Sequence, residues 1–272
     1  MVVESNSAIR IPHSAILFDS HCHLFMKDFN DDRDAVVARA RAAGVGHMAF
    51  IGYSLASSRR AVELAEKLEG CCAAVGLHPH DAQIASPAAW DELAALARSS
   101  PRVAAIGEIG LDYYEQGTPP GVQAAGLRAQ LALARALDLP VVVHDREAHA
   151  DIMRILAEAG EDLPLVLHSF SGDAAMAREA WARGYYTSVS GRVTYPKAAA
   201  LRALLREARR DRILIESDAP YQPPAGRRGQ RNEPAQAADV AAGLAAVWDV
   251  TPEEAARLTT ANARRFYRLP AA

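Results

Sequence analysis

The feature that most constrains this chain is an eightfold alternation of short apolar β-type runs with longer amphipathic ones. Strand-like stretches fall at 16–19, 47–51, 73–77, 103–109, 140–144, 164–169, 185–190 and 212–217. Between them, Ala/Leu/Arg-rich segments with helical spacing of apolar residues fall at 32–43, 57–68, 88–98, 122–137, 148–159, 173–183 and 197–209, and two more follow at 235–247 and 252–263. Short strands that are apolar throughout, each followed by a crossover helix, belong to a parallel sheet covered on both faces. Eight such units in 272 residues fit an α/β fold of one domain, a closed (β/α)8 TIM-type barrel. An open doubly wound sheet shares this periodicity and stands as the alternative. Residues 1–15 are expected to form an N-terminal extension and residues 16–272 the barrel.

Composition removes several function classes. Half the residues are hydrophobic and 23% charged, which excludes a solvated coil. Thirty basic against thirty-three acidic residues give a net charge of −3, so any nucleic-acid contact must be a local patch. Cys22, Cys71 and Cys72 are odd in number and two are adjacent, which points to a reducing compartment rather than a disulfide framework. Residues 1–20 lack a basic segment followed by an apolar one, and no apolar run approaches the length of a membrane helix. The chain is expected to be cytoplasmic, monomeric and without a membrane partner. Lys27, Lys67 and Lys197 are the only lysines and none follows a glycine, so a GxxxxGK[ST] phosphate loop is excluded. GxGxxG and CxxC are also absent.

What remains is a set of metal-ligand residue types placed straight after apolar runs, where they would sit at the barrel mouth. The first strand ends in His21-Cys22-His23; two histidines at i and i+2 on extended chain face one side and can meet one cation, with Cys22 pointing away as core. The fourth strand runs into Glu108 and Asp112, the fifth ends in His144, the sixth in His168 and the eighth runs into Asp218. His21, His23 and Asp218 can hold one divalent cation, and His144 with His168 a second. Glu108, with two carboxylate oxygens, is the natural bridge. No lysine stands at a ligand-bearing strand end to serve as a carboxylated bridge instead. Zn, Mn, Co, Ni or Mg all suit such donors.

The blocks FDSHCHL (18–24), GLHPHD (76–81), GEIGLDYY (107–114), PVVVHDREA (140–148), HSFSG (168–172), ESDAPY (216–221) and RNEP (231–234) resemble those of the TatD family, metal-dependent deoxyribonucleases of the amidohydrolase-type barrel superfamily. The resemblance runs from about residue 16 to the C-terminus, with the blocks in the family's order. It implies a distorted (β/α)8 barrel, one or two divalent cations, and hydrolysis of nucleic-acid phosphodiesters, often exonucleolytic from the 3′ end. It also implies the ligand set His21, His23, Glu108, His144, His168 and Asp218. Three positions depart from the family pattern: Ser217 where Thr is usual, Asp145 where Ser is usual, and Phe25 where an acidic residue is common.

The expected reaction is metal-assisted phosphodiester hydrolysis at single-stranded DNA ends, with RNA a further substrate. Asp218 is the expected general base and Glu108 the second catalytic residue. His78, Arg146, Asp112, Tyr113, Arg231 and Asn232 are the candidate substrate contacts, with Tyr114 able to stack on a base. Each has a structural alternative, such as an ion pair or loop anchor. Rival readings are an ester or amide hydrolase of the same superfamily, such as an aminoacyl-tRNA deacylase, and a non-catalytic phosphate-binding protein. A serine hydrolase is a third, because Gly52-Tyr53-Ser54-Leu55-Ala56 follows a strand and opens a helix.

Overall fold

Each apolar run pairs in parallel with the one that follows it. The computed structural model describes residues 16–115, 117–160 and 162–269; the expected extension, residues 1–15, lies outside them. Strands β1 (Leu17–Cys22), β2 (Val45–Ile51), β3 (Cys71–Val75), β4 (Val103–Asp112), β5 (Val141–Arg146), β6 (Leu165–Leu167), β7 (Tyr186–Val189) and β8 (Ile213–Ile215) lie side by side in chain order. A doubly wound sheet reverses strand order at a switch point, so this order makes the fold a barrel. The crossovers are α1 (Arg33–Ala42), α2 (Leu55–Lys67), α3 (Pro87–Arg98), α4 (Pro120–Leu137), α5 (His149–Ala159), α6 (Ala174–Ala182) and α7 (Ala199–Arg206), and α8 (Ala237–Trp248) and α9 (Pro252–Phe266) follow β8. The circle is joined beyond the end of β8. There the Asp218 amide donates to the His21 carbonyl at 2.9 Å and the His23 amide to the Ala219 carbonyl at 2.8 Å. The result is a nearly closed, single-domain TIM-type barrel.

The strands that differ most from expectation are those that enter the site. β1, β4 and β5 continue past their apolar runs into polar residues, because the parallel ladder persists: Gly110 pairs with His144 and Asp112 with Arg146. A Cβ on Gly110 would run into the His144 carbonyl, so only glycine permits that approach. Register shifts fall between Asp19 and Cys22 on β1 and between Ile106 and Ile109 on β4, so bulges occur where His21 and Glu108 lie. β6 and β8 instead stop early. Ser169 (φ 43°) and Asp218 (φ 57°) take left-handed backbone just after them, which ends pairing and turns the chain across the mouth.

The barrel interior is filled by Phe18, Ala49, Ile51, Cys72, Ala74, Val142, Val166 and Leu214, with Phe266 and Tyr267 entering at the C-terminal end of α9. Small side chains on β2 to β4 leave room for these aromatic rings, and the Tyr267 hydroxyl donates to the Ser20 carbonyl at 2.7 Å. A second apolar layer packs the outer strand faces against the helices. Ser54, Ser86, Asp173 and Thr251 cap the N-termini of α2, α3, α6 and α9. No helix among the described residues is long and apolar enough to cross a membrane.

Candidate active site

Glu108 stands at the centre of the mouth, and its two oxygens face different histidine groups. Oε2 lies 3.6 Å from Nε2 of His21 and 3.9 Å from Nε2 of His23. Those two nitrogens are 3.2 Å apart, and Asp218 Oδ1 lies 3.8 and 3.7 Å from them. Oε1 lies 2.9 Å from Nδ1 of His144 and 2.9 Å from Nε2 of His168, which are 3.4 Å from each other, with His78 Nε2 at 3.8 Å. Donors bound to one small cation at about 2.0–2.2 Å are spaced by roughly 3.3 Å, so both groups have donors placed to hold a cation.

The far side of each ring supports this fit. His23 Nδ1 donates to the Ile51 carbonyl at 2.7 Å, which leaves Nε2 bare. His144 places Nε2 3.2 Å from Asp112 Oδ2, leaving Nδ1 toward Glu108. His21 and His168 stack with centroids 4.1 Å apart, and the wholly buried Glu216 lies beside both rings, its Oε1 3.5 Å from His168 Nδ1. His21 Nδ1, His168 Nδ1 and Glu216 Oε1 are buried and lack hydrogen-bond partners among the described residues. The Ile51 carbonyl behind His23 and the Asp112 carboxylate behind His144 orient those rings and direct the opposite nitrogen into the site, as acceptors behind metal-bound histidines do.

The charges balance internally. Burial alone would raise Glu108, but the neighbouring His168, His144 and His21 hold its carboxyl well below the usual range. Burial would depress His168, yet Glu108 holds it well above the ordinary histidine value. Asp218 is lowered despite burial, chiefly by the neighbouring His23. Burial pulls His78 down to about 3, so it stands neutral. The carboxylates around His168, His144 and His23 thus favour positive charge at these rings.

The cleft above has a volume of about 670 Å³. Its lining includes His78, Asp112, His144, Arg146, His168 and Asp218, together with Glu108 and His23. Arg146 lies 3.9 Å over the Tyr114 ring and 3.7 Å from Glu115. Three candidate substrate contacts are placed elsewhere. The Tyr113 hydroxyl donates to Asp151 at 2.7 Å. Arg231 pairs with Asp32 at 2.7 Å and Glu233 at 3.0 Å, tying α1 to the loop after β8. Asn232 is buried and donates to the carbonyls of Ser217 and Tyr221, both at 2.6 Å. Ser54, the serine-hydrolase candidate, forms a capping box with Ser57 at the start of α2.

A profile of the family described as TatD related DNase matches residues 18–268. The chain belongs to the TatD family. The metal-dependent hydrolase YabD of Bacillus subtilis is 38% identical over 258 residues, covering 93% of this chain and 100% of the relative. The 3′-5′ ssDNA/RNA exonuclease TatD of Cronobacter turicensis is 40% identical over 257 residues, 92% of this chain and 97% of the relative. The crystal structure of YJJV, a TatD homologue from Escherichia coli K12, matches with a TM-score of 0.87 and 33% identity, over 93% of this chain and 98% of that one. The chain is therefore a TatD hydrolase with His/Glu clusters suited to binding metal ions.

The departures from the TatD pattern have local explanations. Ser217 gives its amide and hydroxyl to the two oxygens of buried Asp19, at 2.8 and 2.5 Å, and so anchors the turn that carries Asp218. Asp145 is held by His149 Nδ1 at 2.7 Å, one turn along the start of α5. Phe25 is buried edge-on to His23, with centroids 6.0 Å apart. Cys22 points away from the site, its Sγ 3.6 Å from the Ala49 carbonyl.

Sequence reasoning assigned no role to Glu216 or Gln222. An acidic residue straight after Ile213-Leu214-Ile215, two positions before Asp218, was the available signal for Glu216. Gln222 donates to Asp218 Oδ2 at 2.6 Å and also engages Ser169 and Ser190, but it sits in a Pro/Gly loop with no periodicity to mark it.

Proposed function

We propose that this TatD hydrolase is a metal-dependent phosphodiesterase that removes nucleotides from the 3′ ends of single-stranded DNA, with RNA as a further substrate. The observation that carries the reading is the division of Glu108, one oxygen toward His21 and His23 and the other toward His144 and His168. A carboxylate so placed serves two cations. The exonuclease name borne by relatives of about 40% identity supports the choice of substrate.

In this reading His21, His23, Glu108 and Asp218 hold one divalent cation, and Glu108, His144 and His168 the other. Bound there, such cations lower the pKa of water and offset charge on phosphate oxygens. Asp218 accepts the proton of the attacking water, and Gln222, bonded to its other oxygen at 2.6 Å, keeps the carboxylate in one orientation. Arg146 meets a phosphate oxygen from the rim. Neutral His78 offers a ring N–H to the same phosphate. Asp112, beneath His144 and 3.1 Å from His80, acts on the substrate through those rings.

The test is metal analysis of the purified protein, followed by chelation and resupply of Zn, Mn, Mg, Co or Ni, with 5′-labelled single-stranded DNA as substrate. Chelation should abolish cleavage, resupply should restore it, and products should shorten stepwise from the 3′ end. Cleavage of aryl or aminoacyl esters without any cleavage of phosphodiesters would overturn the assignment.

A further inference from the structure

Two guanidinium groups line the cleft, and they differ in how far they are committed. Arg146 is shared with Glu115 and stacked on Tyr114. Arg192, in the turn after β7, has no hydrogen bond or ion pair on its guanidinium among the described residues, although it lines the same cavity. Its backbone is fixed. Gly191 and Val193 on either side are buried, and a Cβ on Gly191 would run into the Gln222 carbonyl. Tyr195 donates to the Pro223 carbonyl at 2.7 Å, and Thr194 accepts from the Ala225 amide at 2.8 Å. Ser190, two residues earlier, donates to the Gln222 side chain that holds Asp218. An exposed, uncommitted arginine thus stands on a rigid turn continuous with the candidate base.

The charges of the cleft say what it is suited to meet. Five carboxylates line it: Glu108, Asp112, Glu115, Asp145 and Asp218. Cations held at the histidine groups would offset Glu108 and Asp218, and the remaining three carboxylates lie beside His144, Arg146 and His149. A polyanion whose reacting phosphate sits at the centre still has to place its next phosphate on this acidic rim. Building on the phosphodiesterase reading, we propose that Arg192 binds the phosphate adjacent to the scissile one. It is then the specificity residue that makes this cleft prefer a nucleic-acid strand over an isolated phosphodiester. A planar guanidinium suits a phosphate through paired N–H donors.

Arg192→Ala, Arg192→Glu and Arg192→Lys test this by two readouts. The first is binding of a fluorescent phosphorothioate hexathymidylate to the metal-loaded protein across a salt series. Arg192→Ala should weaken it about tenfold and shrink the log–log salt slope by about 0.7, with Arg192→Lys keeping most of the slope. Arg192→Glu should weaken binding further. The second is the ratio of kcat/KM for hexathymidylate to that for bis(p-nitrophenyl) phosphate, which should fall about tenfold in Arg192→Ala. An unchanged affinity and slope in Arg192→Glu, or an equal loss on both substrates, overturns the proposal. So does a wild-type protein that binds no hexathymidylate. If the wild type cleaves the aryl diester but not the oligonucleotide, the nuclease reading fails, and Arg192 is judged by the binding arm alone.

Discussion

Glu216 lies beneath His168, its Oε1 3.5 Å from the imidazole Nδ1, while its other oxygen accepts from Ser188 at 2.5 Å. His21 stacks on His168, and Glu216 lies close to both, so one buried carboxylate neighbours a histidine from each of the two groups. Glu216→Gln keeps the shape but removes the charge beside His168 Nδ1 and near His21. Affinity for divalent metal should drop about 10–100-fold, as for other acceptors behind metal-bound histidines. Calorimetric titration of metal into the chelated protein measures it, and excess metal should restore turnover. An affinity equal to that of the wild type would leave Glu216 as a packing residue.

Asp218 and His21 should respond differently to added metal. Asn at 218 still offers a carbonyl oxygen to a cation but cannot take a proton from water. Asp218→Asn should therefore lose about 10²–10⁴-fold in rate, a general-base loss that excess metal does not repair. His21→Ala removes one donor and should be partly rescued. Turnover and substrate affinity for both variants across a metal titration make the comparison. Equal rescue of the two would reduce Asp218 to a ligand and pass the base role to His78.

Much of the fold was legible because a parallel barrel writes itself as eight apolar runs, and the candidate site because its polar residues interrupt those runs at their ends. Strand limits were less legible. The apolar signal stops at Asp19 and Ile109, whereas pairing carries on to Cys22 and Asp112, because a ladder needs only backbone groups. Bulges at His21 and Glu108 are backbone events that side-chain periodicity does not encode. From sequence, Arg231 and Tyr113 are open to either role, substrate contact or loop anchor and rim packing. Their partners, Asp32 and Asp151, come from distant segments, and pairing of that kind is set by the fold.

Metal binding should strengthen as pH rises. Burial alone would depress His23, His144 and His168, but the carboxylates of Asp218, Asp112 and Glu108 outweigh it and raise all three above the ordinary value of 6.5. A raised histidine contributes stability below 6.5 that is lost as pH rises through its folded pKa. The metal-free protein should therefore weaken above neutrality, where bare imidazoles leave the site ready for a cation. The increase in Tm on adding metal should widen between pH 6 and pH 8.5. A metal-induced shift that shrinks over that interval would contradict this electrostatic account.

Strand form provides a further check. The net charge of −3 and the acidic rim provide no long basic groove for duplex. Single-stranded linear DNA should be degraded faster than blunt duplex, circular DNA should persist, and the salt dependence should be shallow, about 0.7 in log–log slope for each phosphate contacted. Gel analysis of the three substrates decides it, with equal cutting of circular and linear strands against an end-acting enzyme.

The central claim is that Glu108 bridges two cations, and Glu108→Gln tests it most directly. Gln keeps the size of the side chain but removes the charge that offsets them. Metal content after dialysis, measured by mass spectrometry alongside turnover on single-stranded DNA and a thermal melt, should show a folded protein that has lost metal and orders of magnitude in rate. Near wild-type turnover at unchanged metal content would contradict the account.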